Sequence, residues 1–182
     1  MKGSIVNCLK EVVVKEYGMD KWEELRVASE LPTILLDSGN VNDDKVIAAF
    51  NMAPDILNVS WQKLMDLFAE NWTFNYANKI GYGFFLKKHK SAREAIMNMN
   101  KIHQMATSNI KDANPPSFDF KWENDNTLYV EYKSQRNLFD ICLSCVKALG
   151  KYYKENLQIT KAGNNKIRII FPAESRLKAE NN

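Results

Sequence analysis

The stretch Asn114-Pro115-Pro116-Ser117-Phe118-Asp119-Phe120-Lys121-Trp122-Glu123-Asn124-Asp125-Asn126-Thr127-Leu128-Tyr129-Val130-Glu131-Tyr132-Lys133-Ser134-Gln135-Arg136 decides the fold. Tandem prolines restrict the backbone and cannot extend a helix, so they close the pattern that precedes them. After them Phe118, Phe120 and Trp122 alternate with polar residues, residues 123–126 supply a polar turn, and Leu128, Val130 and Tyr132 alternate again. That is a β-hairpin.

Upstream the period is helical. Ile5, Leu9, Val12, Val13 and Tyr17 fall near helical spacing, and Gly18 is a stop. A second short helix opens at Asp20, with acidic residues in its first turn where the helix dipole favours them. Residues 31–42, with Pro32 and Gly39, read as a loop; a third helix starts near Asp43-Asp44. Ser60 is the N-cap of a longer helix carrying Trp61, Leu64, Leu67, Phe68 and Trp72, and Gly81 and Gly83 then break the pattern. Ser91-Ala92-Arg93-Glu94 has capping-box spacing and predicts one helix over 92–109. Downstream of the hairpin, residues 137–155 are helical, and a second hairpin turns at Gly163-Asn164-Asn165. A helical lobe followed by a β-hairpin, a helix and a second hairpin predicts an α+β fold, with a small antiparallel sheet of about four strands.

Composition sets bounds on function. The chain has 182 residues, 45% hydrophobic and 26% charged, which is ordinary for a soluble domain with one substantial core. Lys+Arg 25 against Asp+Glu 22 gives +3, too balanced for electrostatically driven nucleic-acid binding. Apolar runs such as Ile169-Ile170-Phe171 fall far short of a membrane segment, and Lys10 and Glu11 interrupt any signal-peptide core. Three cysteines without a secretion signal point to a reducing, cytoplasmic setting. Two histidines exclude a metal site built on several imidazoles.

Two features carry chemistry. Ile96, Met99, His103, Ala106 and Ile110 recur at spacings of three and four, one apolar stripe with an imidazole in its middle. Such a histidine is either a core side chain satisfied by a backbone carbonyl or a single axial ligand of the kind haem iron takes. The second is Tyr132-Lys133-Ser134-Gln135-Arg136. If the strand continues, Tyr132, Ser134 and Arg136 share the face begun by Leu128 and Val130. Two hydroxyls and a guanidinium there suit a pair of carboxylates, because Arg forks onto a carboxylate while hydroxyls donate to it. The bland alternative is a strand leaving the core for solvent.

The chain resembles the haem nitric oxide/oxygen binding (H-NOX) family, bacterial gas sensors similar to the haem domain of soluble guanylate cyclase. The resemblance rests on Met1-Lys2-Gly3 with Ile5-Val6, Trp22-Glu23, Phe68-Ala69-Glu70-Asn71-Trp72 before Gly81-Tyr82-Gly83, Ile102-His103-Gln104, Pro115-Pro116, and Tyr132, Ser134 and Arg136 as a Tyr-x-Ser-x-Arg signature. Order and spacing hold over residues 1–172, which implies one domain: a helical lobe over about 1–60, a haem-binding lobe over about 61–172 with haem between them, and a polar tail over 173–182. The resemblance implies haem b with His103 as the proximal iron ligand. Tyr132, Ser134 and Arg136 would hold the propionates, and Pro116 would press on and distort the porphyrin. Ile5, Leu9, Trp72, Tyr76, Met99, Ile141 and Cys145 would line the pocket.

It implies a non-catalytic sensor that binds nitric oxide and CO at ferrous iron and signals by release of the iron–His103 bond and a shift of helix and lobe. The receiver would be a separate histidine kinase, cyclic-nucleotide enzyme or chemotaxis receptor, or the chain is a fragment of a larger receptor. Oxygen-binding members carry a tyrosine five residues after the signature arginine and a tryptophan in α-helical register near the N-terminus; here those positions hold Ile141 and Leu9. Oxygen binding would then need a distal hydrogen bond from Tyr76 or Trp72. The rival classes are a haem enzyme, which wants distal acid–base groups that Ile5 and Ile141 do not offer, and a haem-free module for acidic ligands. Cys142-Leu143-Ser144-Cys145 lacks the following histidine of covalent haem attachment and reads as helix filler. Lys87-Lys88-His89-Lys90 reads as a solvated loop.

Overall fold

Gly3 opens the first helix, and only glycine fits there: an added Cβ would lie 2.1 Å from the Leu36 carbonyl oxygen. The computed structural model describes residues 1–108 and 114–173. These form two compact units, the first running from Met1 to Tyr76 and the second beginning at Ala77.

The first unit is helical. It holds α1 (Gly3–Tyr17), α2 (Met19–Ala28), α3 (Asp43–Leu57), α4 (Trp61–Asn71) and a five-residue π-helical turn (Trp72–Tyr76). Gly18, at φ +92°, stops α1, a conformation glycine adopts without strain. Asn42 caps α3 by accepting from the amides of Asp44 and Lys45, and Ser60 caps α4 by accepting from that of Lys63. Val6, Leu9, Val13, Trp22, Leu25, Phe50, Leu64 and Phe68 form the buried interior. Residues 61–76, placed in the second lobe by the sequence reading, pack here, because the apolar stripe of α4 lies against α1 and α3. The expected loop over 31–42 is pinned at Gly39, whose carbonyl accepts from the Gly3 amide at 2.8 Å.

The second unit contains the short helices α5 (Ala77–Lys79), α6 (Gly83–Lys88) and α7 (Ala92–Met97), then α8 (Met99–Thr107), strands β1 (Ser117–Trp122) and β2 (Thr127–Lys133), α9 (Phe139–Tyr152), and strands β3 (Gln158–Lys161) and β4 (Lys166–Ile170). The sheet is antiparallel in the order β1-β2-β4-β3, so the two predicted hairpins join through β2 and β4. Phe118 faces Tyr132, Val130 faces Ile167 and Leu128 faces Ile169. These residues bury one face of the sheet with Ile96 and Met99 from the α7–α8 pair and Phe139, Leu143 and Val146 of α9. The α+β expectation, with four antiparallel strands, is met.

Two local expectations are not. The predicted helix over 92–109 is two helices. Asn98 departs from helical geometry at φ −94°, ψ 4°, and its side-chain amide donates back to the Glu94 carbonyl at 2.9 Å, so the side chain competes with the helical ladder. Its expected end at 109, and Ile110, lie outside the described residues. Strand β2 stops at Lys133, so Ser134 and Arg136 do not continue its face; Ser134 Oγ accepts from the Arg136 amide at 3.2 Å and starts a turn. The expected polar tail lies, beyond Ala173, outside the described residues. No described helix is long and apolar enough to cross a membrane.

Candidate functional site

α8 carries His103 with its ring half-buried and 5.4 Å from that of Phe118 on β1. Nδ1 lies 2.8 Å from the Met99 carbonyl oxygen, one helical turn back. A carbonyl only accepts, so in this bond Nδ1 carries the proton, and the neutral ring keeps its lone pair on Nε2. Burial lowers the His103 pKa, partly offset by the Met99 carbonyl, which favours the charged ring. The result is a neutral, oriented imidazole, the form a metal takes; a backbone carbonyl on the far nitrogen is a common support for such a ligand. The two readings of a stripe histidine are therefore both satisfied by one geometry.

The aromatic contact continues from Phe118 to Tyr132, 5.9 Å between centroids, and from Tyr132 to Phe139 at 6.4 Å. Tyr132 is 5% exposed. Burial raises its pKa, partly offset by a hydrogen bond from the Ser134 side chain, one from the Leu138 backbone, and the Arg136 charge. The Arg136 guanidinium donates to the Asn114 carbonyl, just before Pro115-Pro116. The turn thus brings Tyr132, Ser134 and Arg136 together by a route other than strand alternation. Lys133, between them, turns to the opposite face and pairs with Asp119.

Other predicted residues of this unit fall as follows. Met99 is buried, and Pro116 is half-buried two residues before Phe118. Ile141 and Cys145, four apart on α9, are half-buried on one side of that helix. The Cys145 sulfur sits deep enough that burial pushes its pKa up to about 12. Cys142 is buried and its pKa is also raised by burial. Neither thiol has the microenvironment of a reactive cysteine.

In the first unit, Ile5 is half-buried and Leu9 fully buried on α1. Trp72 stacks between Phe68 at 6.3 Å and Tyr76 at 5.9 Å. The Tyr76 hydroxyl donates to Asp37, which also accepts from the Asn7 side chain at 2.8 Å. Asp37 was not singled out from the sequence: a polar residue in a loop gives no periodic signal, and its partner lies 39 positions away.

The donor set fits a haem. One imidazole with its lone pair on Nε2 would suit a metal whose remaining ligands come largely from a macrocycle. Two hydroxyls and a guanidinium at the end of β2 and the turn that follows it suit acid side arms. Among the described residues, no group of three or more His, Cys, Asp and Glu could hold a bare ion instead.

The family model described as haem-NO-binding matches residues 2–161. Solved structures agree in fold. An H-NOX protein from S. oneidensis in the Fe(II)NO ligation state has a TM-score of 0.80 at 17% identity, covering 94% of this chain and 98% of that one. The unliganded Fe(II) H-NOX protein from K. algicida has a TM-score of 0.78 at 21% identity, covering 94% and 95%. The I5F mutant of the T. tengcongensis H-NOX also has a TM-score of 0.78, at 19% identity, covering 94% and 97%. The chain belongs to the haem-NO-binding (H-NOX) family, whose members are haem-based gas-sensing domains rather than enzyme domains.

Proposed function

We propose that this protein is a sensor of nitric oxide, and of CO, at ferrous haem b, and that it forms no stable oxygen complex. The observation that carries the reading is the His103 imidazole, held neutral with Nδ1 on the Met99 carbonyl and Nε2 left to ligate. Haem held by His103 would supply a ferrous iron able to bind a diatomic gas. Tyr132, Ser134 and Arg136 hold the propionates, and Pro116, Met99, Ile141 and Cys145 contribute to the pocket wall.

The preference among gases follows from the side chains. Bound oxygen is stabilised by a hydrogen-bond donor, which nitric oxide and CO need much less. Ile141 has none to offer, and the single hydroxyl proton of Tyr76 is already given to Asp37. α8, set off from α7 by Asn98, is the element that responds when the hold on His103 changes. A signalling partner, either a separate histidine kinase, cyclic-nucleotide enzyme or chemotaxis receptor or the rest of a larger receptor, reads the response of α8.

The test is the absorption spectrum of the haem-loaded, reduced protein in nitric oxide, in CO and in air. The Soret band is expected to shift in the first two and to show no oxy species in the third. His103→Gly is expected to lose the protein-derived ligand signature, and added imidazole to restore it. A His103→Gly spectrum identical to that of the unmutated protein would sink the ligand assignment.

A further inference from the structure

β1 is an edge strand of the sheet. Phe118 and Tyr132 face each other, yet the Tyr132 amide donates to Asn165 on its other side at 2.8 Å. Their pair is therefore one that exchanges no backbone hydrogen bonds, and the N–H and C=O of Phe118 point out of the sheet. Such an open edge needs a partner where the strand is buried, and Phe118 is 4% exposed.

Asn100 on α8 meets both groups. Its Nδ2 donates to the Phe118 carbonyl at 2.8 Å, and its Oδ1 accepts from the Phe118 amide at 2.8 Å. The side-chain amide stands in for the peptide group of a missing neighbouring strand, joining helix to sheet by two well-formed bonds. Asn100 lies three residues before His103, so both project from nearly the same side of α8, and the His103 ring rests against the ring of the residue that Asn100 clamps. Tyr82 holds the other end of the helix, its hydroxyl donating to the Ala106 carbonyl at 3.1 Å.

The geometry points to Asn100 as a positioning residue for His103: its amide ties α8 to Phe118, so the imidazole keeps one orientation relative to the sheet that carries Tyr132 and the turn to Arg136. The break at Asn98 makes this tie consequential, because α8 is not steadied by a continuous helix from α7. The inference rests on the haem-sensor reading only for its meaning to gas binding. The clamp itself is a property of the polypeptide and can be read without haem.

In the haem-free protein, amide hydrogen exchange reads the Phe118 N–H, and nitrogen NMR of the ring reads the His103 tautomer. Asn100→Ala is expected to speed Phe118 exchange about tenfold or more and to replace the single Nδ1–H tautomer by an averaged signal. Asn100→Asp keeps the acceptor and loses the donor, so it falls between; it also carries the test if the alanine variant does not fold. Lys101→Ala, an exposed neighbour, is expected to change neither. Faster exchange with an unchanged His103 signal would overturn the proposal, reducing Asn100 to a seal on the strand edge. Unchanged exchange would overturn it as well. With haem added, the clamp variants are expected to shift the iron–histidine stretching band. Absence of that band in the unmutated protein would refute the haem reading, while the haem-free measurements would still decide the role of Asn100.

Discussion

The hydroxyl of Tyr76, at the end of the π-helical turn, donates to the carboxylate of Asp37 in the loop between α2 and α3. Asp37 also accepts from Asn7 on α1. Asp37 thus ties three stretches of the first unit, and burial together with this carboxylate raises the Tyr76 pKa. Tyr76→Phe is expected to lower stability by about 1–3 kcal/mol, the cost of leaving a sheltered carboxylate short of a donor. The gas spectra are expected to stay unchanged. Urea unfolding and the spectrum in air check the two halves; an unchanged unfolding midpoint with altered gas spectra would reverse the assignment.

Arg136→Ala is expected to weaken haem retention more than Lys133→Ala. Arg136 shares its turn with Ser134 and acts on Tyr132 at the end of β2, whereas Lys133 lies on the far face in an exposed pair with Asp119, a type of contact worth little. One charge-assisted hydrogen bond in a sheltered site contributes about 1.5–3 kcal/mol, or about ten- to a hundredfold in affinity. Transfer of haem to an excess of apomyoglobin measures both variants. Equal transfer rates would contradict the assignment of Arg136 to the site.

The elements were legible wherever a local rule governs them. Period-two alternation found both strands of the first hairpin, and the caps at Ser60 and Ser91 announced their helices, since each is settled within four residues. The helix break was hidden because Asn98 is an unremarkable helical residue until its own amide turns back to Glu94. Tyr132, Ser134 and Arg136 are neighbours through a turn that side-chain alternation cannot describe. Asn100 and Asp37 were invisible for a different reason. Their partners lie 18 and 39 positions away, and nothing in composition or period marks a polar residue as one end of a tertiary tie.

Cys145 makes stability sensitive to alkali. Its folded pKa is about 12 against an ordinary 9.0, because burial disfavours the thiolate. Between those values the folded protein keeps a proton that the unfolded chain releases. The contribution is therefore full below pH 9 and is lost as pH rises toward 12, at up to about 1.4 kcal/mol per pH unit for one thiol. Cys145→Ala is expected to show a smaller loss of stability between pH 8 and pH 10 than the unmutated protein, whatever its stability at pH 8. Parallel urea titrations at the two pH values measure the difference, and equal losses would show that the thiol titrates normally.

Ile141 sits half-buried on α9, one turn before Cys145, and the family resemblance sets it where a tyrosine is expected in oxygen-binding members. Its side chain supplies bulk without a donor. Oxygen bound to ferrous haem carries partial negative charge, so a single well-placed hydrogen bond stabilises it by about 1.5–3 kcal/mol, or about ten- to a hundredfold. Ile141→Tyr is therefore expected to raise oxygen affinity by that factor while changing nitric oxide binding far less. Oxygen titration of the reduced variant, monitored at the Soret band beside Ile141→Phe, separates the donor from the ring. Equal gains in the two variants would mean that ring volume sets oxygen affinity here. A stable oxy spectrum in the unmutated protein would place the deciding donor elsewhere than residue 141.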